Sequence, residues 1–136
     1  VDLNAVAAGL AANVRAVPGL TALDHVPDSL PEPVFMVGEI DIEFDQTFGR
    51  GSDTLTITCR VMVARSDDQG GQQKLREFMA GGGVTSVKRA IEADRQLGGA
   101  CDDLRVVRAT GNRLFVVGET RYYGVEFTVM VIGDGS

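Results

Sequence analysis

From Glu39 to Asp45 the chain alternates acid and hydrophobe. Glu39, Asp41, Glu43 and Asp45 fall on one parity, and Ile40, Ile42 and Phe44 on the other. The pattern breaks at QTFGRGSD and resumes with Leu55, Ile57 and Cys59 set against Thr54, Thr56 and Thr58. Period two is the signature of a strand with unlike faces. Residues 34–64 are therefore predicted to form a long β-hairpin. Gly38 marks a bulge or bend near its start, and Phe48, Gly49 and Arg50 lie at its tip, in a loop longer than a two-residue turn.

Elsewhere the period changes. Leu3, Val6, Leu10, Val14 and Val17 recur at three- and four-residue steps, which predicts an amphipathic first helix capped by Asp2 and stopped by Pro18-Gly19. LTALDHV reads as a short strand and PDSLPEP as a rigid, extended link. Two short helices follow the hairpin. QQKLREFMA places Leu75, Phe78 and Met79 on one face, and SVKRAIEADRQL, capped by Ser86, does the same with Val87, Ala90 and Ile91. LRVVRAT is predicted as a strand, Gly111–Arg113 as a turn and LFVVGE as a further strand. RYYGVEFTVMVIG closes the chain as a strand with Tyr123, Val125, Phe127, Val129 and Val131 on one face. The order of elements predicts an α+β fold, a mainly antiparallel sheet with helices on one face. Residues 1–136 are expected to form one domain.

Composition adds limits. A 44% hydrophobic and 24% charged chain of 136 residues has enough apolar material for a folded core. A net charge of −6 argues against general affinity for nucleic acid, which needs clustered Lys and Arg. Residues 1–68 hold eleven acids and four bases, net −7, and residues 69–136 hold eight acids and nine bases, net +1. Such asymmetry suits head-to-tail packing of copies, and it also arises by chance. No apolar run reaches the ~20 residues of a membrane helix, and no signal-peptide pattern is visible. An intracellular, reducing setting is the expectation.

Motifs for chemistry are few. His25 is expected to have no partner in its neighbourhood, and Ser29, Ser52 and Ser66 sit outside any nucleophile-elbow pattern. Gly81–Gly83 lacks the GK[ST] of a phosphate loop and reads as a joint between helices. Cys59 falls on an apolar strand position, a small core residue; Cys59 with Cys101 makes no metal-ligand spacing, and a disulfide between them is neither required nor ruled out by the sequence. Alternate carboxylates on a strand lie roughly 6.5–7 Å apart, too far to share one cation without further ligands. No catalytic group, cofactor or metal is expected.

A solvated sheet face explains why the Glu39–Asp45 row is polar but not why it is uniformly negative, since neighbouring like charges repel. A passage through which DNA slides without sticking would favour that sign. Phe48 and Arg50 either fold back on their own sheet or anchor a neighbouring subunit; aromatic and arginine residues are enriched in such anchors.

These pieces together resemble a family. The Ala-rich helix ending VPGL, the Pro-rich link, DIEFDQTFGRGSD, LTITCRVMVARSDD, LREFMAGGGVTSVKRAIEAD, LGGACDDLRV and GVEFTVMVI are similar, over nearly the whole chain, to tail terminator proteins of long-tailed phages infecting actinobacteria. The resemblance implies a structural, non-enzymatic virion protein of the neck. It implies a hexameric ring that caps the tail tube, ends its polymerisation and joins it to the head connector, with DNA passing through. Phe48, Gly49 and Arg50 are then the expected subunit or partner interface, and Glu39, Asp41, Glu43 and Asp45 the channel-facing acids. Another neck component, such as a head-closure or tail-completion protein, is the nearest alternative. A small α+β enzyme or ligand-binding domain is a more distant one.

Overall fold

The computed structural model describes residues 2–25, 33–44, 52–65, 69–117 and 120–134. In chain order the elements are α1 (Leu3–Val14), β1 (Thr21–Leu23), β2 (Val34–Glu43), β3 (Ser52–Arg65), α2 (Gln69–Met79), α3 (Val87–Glu92), a 3-10 turn (Leu97–Gly99), β4 (Asp103–Val117) and β5 (Thr120–Asp134). The strands form one five-stranded sheet in the order β1-β2-β3-β5-β4. Among the described residues only the three-residue β1–β2 pairing is parallel, so the expected α+β class with a mainly antiparallel sheet holds.

Two hairpins, β2–β3 and β4–β5, meet at the middle of the sheet through β3 and β5. All three helices pack on one face. Val6, Leu10 and Val14 of α1, Leu75 and Phe78 of α2, and Val87 and Ile91 of α3 join Phe35, Leu55, Ile57, Cys59, Val61, Val125, Phe127, Val129 and Val131 in one core. Each large side chain buried there contributes about 1.5–3 kcal/mol relative to exposure. The first helix begins as its sequence dictates. Asp2 Oδ1 accepts the N–H groups of Asn4 and Ala5 at 3.0 and 3.3 Å, satisfying two otherwise orphaned donors.

Gly38 lies in a register shift between Val37 and Ile40, the bulge expected there. A Cβ at this position would stand 2.9 Å from the carbonyl oxygen of Thr58, so the two backbones approach closely only because residue 38 is glycine.

Two expectations need correction. Gly111–Arg113 is not a turn. Strand β4 runs straight through it, with a register shift between Thr110 and Arg113. Met79 of α2 occupies the space a Cβ on Gly111 would need, so the glycine serves helix–sheet packing inside a bulged strand. The segment read as one helix from Ser86 to Leu97 is shorter than its pattern. The helix ends at Glu92, and Asn13 Nδ2 of α1 donates to the carbonyls of Ile91 and Asp94 at 3.0 and 3.1 Å. Asp94 then accepts from the N–H groups of Gln96 and Gly98, turning the chain. Leu97 sits there at φ +50°, a left-handed conformation that its buried packing against Gly9 sustains.

Candidate functional site

The face of the sheet away from the helices is the candidate site. One end of it is apolar: Val34, Met36 and Met62 pack with Leu23, Phe115 and Tyr122. Beyond them lies a polar field built by strand alternation. The expected parity of the acidic arm is observed, with Ile40 and Ile42 against the core while Glu39, Asp41 and Glu43 stand exposed on the open face. Phe44, expected with the isoleucines, lies past the end of β2 and is 70% exposed. Asp45, Phe48, Gly49 and Arg50 lie outside the described residues.

Arg60 anchors the field. Its guanidinium lies 3.4 Å from Glu126 and 3.7 Å from Glu39, and 5.7 Å from the centre of the Phe115 ring. Phe115 itself covers Gly124, where a Cβ would fall 2.5 Å from its ring. Arg60 and Glu126 are both about four-fifths buried, whereas the Glu39 side chain is 77% exposed.

The cross-strand registers order the remaining residues into rows. Asp41 of β2 stands opposite Thr56 of β3, Thr56 opposite Met130 of β5, and Met130 opposite Arg105 of β4. In the next row Thr58 faces Thr128 and Thr128 faces Arg108, with the bulged Glu39 at the β2 end. Each row thus begins with a carboxylate and ends with an arginine. The row through Glu43, Thr54 and Ile132 ends instead on Asp103, whose carboxylate is held by Arg95 at 2.8 and 3.3 Å. That arginine depresses the Asp103 pKa, chiefly through the hydrogen bond.

The arginine margin is the part that the sequence reading missed. Arg105 and Arg108 are three residues apart, which strict alternation assigns to opposite faces. A register shift between Val106 and Arg108 makes Val107 the extra residue and brings both arginines to the open face. A single sequence carries no mark of that bulge.

The other candidates gain little chemistry from their surroundings. His25, expected to have no partner nearby, has one in the adjacent Asp24: its Nδ1 lies 2.8 Å from Asp24 Oδ1, both well exposed, and the contact lowers the Asp24 pKa. The Cys59 thiol is fully buried and pushed up to about 12 by that burial, far from a nucleophile's range. Cys101 is also raised, first by burial and then by Asp102, Asp103 and Asp94. Both cysteines are free. Among the described residues no group of three or more His, Cys, Asp or Glu is arranged to hold a metal ion, and no helix is long and apolar enough to cross a membrane. A groove of about 230 Å³ between α1 and α3 is lined by Ala16, Val17, Val84, Ala90 and Ala93, with Arg89 at its side.

Compared with models of known protein families and with curated protein sequences, the chain finds no match.

Proposed function

We propose that this protein is a structural ring subunit of a virion neck, a tail terminator that caps the tail tube, stops its growth and joins it to the head connector. The reading rests on the resemblance of sequence. The observation that carries it furthest is the two-sided sheet, with helices and core on one face and an open face bearing exposed carboxylates on the other. In a ring of such subunits, the open faces line the passage. The threonines at 54, 56, 58 and 128 supply a neutral wall, and Glu39, Asp41 and Glu43 keep phosphate from settling on it, because like charge withholds the counterion-release gain of backbone binding. At physiological salt this influence extends only ~8 Å, so it acts at the wall itself. The hairpin tip with Phe48, Gly49 and Arg50 reaches a neighbouring copy or the adjoining ring. Partners are copies of this chain, the tail tube protein and the connector, and no cofactor takes part.

Imaging tests the proposal directly. Labelled protein in intact particles is expected at the head–tail junction, as rings with a central opening. Particles assembled without it are expected to carry tails of uncontrolled length. Label elsewhere in the particle, or normal tails in its absence, would overturn the reading.

A further inference from the structure

We propose that the acidic margin of the open face, Glu39 and Asp41 on β2, docks against the basic margin, Arg105 and Arg108 on β4, of a second copy of this chain. The inference rests on the ring reading and specifies its seam. Within one subunit the two margins cannot meet. They are separated by three strand spacings of ~4.8 Å, roughly 14 Å in all, well beyond ion-pair distance and beyond the screening length at physiological salt. Two successive rows repeat the same order, acid at β2 and arginine at β4. Side-by-side placement of copies in one orientation brings each acid to the arginine of its own row on the next molecule.

Among the described residues both margins are open to such contact. Strand β1 pairs only with Val34–Met36, leaving residues 37–43 of β2 at the rim of the sheet among the described residues. Strand β4 is outermost on the other side. Its backbone is poorly suited to strand addition. The Val106 N–H already donates to Glu92 Oε2 at 2.9 Å, and two register shifts interrupt the strand. The joint is therefore made by side chains rather than by a continued ladder. Because the two patches differ, each copy engages one neighbour on each side, the heterologous arrangement that closes into a ring when the rotation between copies allows. The same pairing covers two guanidinium groups that would otherwise face the passage and grip DNA phosphate. The acids thus serve the wall partly by occupying arginines.

The test is a charge exchange in the full chain. Asp41→Arg reverses the acidic member of one row, leaving like charges to face each other in that row across the seam, and Arg105→Asp does the same from the basic side. Each variant alone is expected to self-associate at least ~10-fold more weakly than the wild type in low-salt sedimentation at high protein concentration. A 1:1 mixture is expected to recover association by alternating the two. Both positions are exposed, and circular dichroism checks that each variant folds. A second, independent variant carries Asp41→Cys and Arg105→Cys together. Their separation within one chain far exceeds the ~7 Å Cα limit for a disulfide, so oxidation is expected to give a ladder of covalent multimers absent from the wild type. If wild-type multimers form while the mixture shows no recovery and the double cysteine no ladder, the seam is wrong and the ring reading stands. If the wild type stays monomeric at every concentration and particles contain no ring of this protein, both fall.

Discussion

Arg60 shows how much of the open face depends on one side chain. It touches carboxylates on two strands and the ring of Phe115, while remaining mostly buried. An exposed ion pair would be worth little. Here, removing the guanidinium also removes apolar stem packing and a partner of a largely buried carboxylate. Arg60→Ala is expected to destabilise the fold by about 1–2 kcal/mol in urea denaturation, with Arg60→Lys intermediate.

Glu92 carries a different kind of consequence. Burial alone would raise its pKa, but the hydrogen bonds from Lys88 and the Val106 N–H, with the charges of Lys88 and Arg95, outweigh that and leave it below the ordinary 4.5. A carboxylate with a depressed folded-state pKa stabilises the fold above its unfolded value, and loses that contribution as pH falls through the folded one. Acid titration of stability is therefore expected to show a loss beginning near pH 4.5, and Glu92→Gln should flatten it.

At the scale of elements, bulges decide which side chains share a face. Gly124 illustrates the tightness that results: a Cβ there would meet the Phe115 ring at 2.5 Å and the carbonyl oxygen of Val61 at 2.8 Å. The Val61 carbonyl belongs to the backbone of the neighbouring strand and cannot swing aside as a side chain would. Gly124→Ala is expected to cost about 1–3 kcal/mol, read as a lowered thermal midpoint. The bulges also mark where the sequence stops being legible. Alternation located β2 and β3, and Asp2 and Ser86 were recognisable as caps because their chemistry is local. The Gly38 bulge was readable because glycine interrupts a clean pattern. The bulge at Val107 lies in a run of ordinary strand residues and leaves no trace. Gly111 signalled a turn because its real partner, Met79, lies 32 positions earlier in the chain, and no local reading connects them.

For the whole molecule, the two-sided sheet was anticipated and its gradient of charge was not. The acidic margin announces itself as four acids in alternation. The basic margin becomes visible only after the registers are known, because it is assembled by a bulged strand across three inter-strand pairings. Charge asymmetry between the chain's halves was legible in the sequence, and the topology adds that β2 and β4 lie on opposite sides of one face. The buried thiols followed from parity at Cys59, whereas Cys101, in a loop, needed the packed structure to be found inside.

The meeting of β3 with β5 at mid-sheet also has a consequence in time. Their paired residues are 57 to 82 positions apart in the chain, while each hairpin closes over a short span. Long loops must lose their freedom before that central zipper returns any energy. Stopped-flow refolding should accordingly run on the order of milliseconds to seconds. Substitutions confined to the far side of either hairpin should chiefly speed unfolding, whereas those along the β3–β5 join should slow the refolding arm.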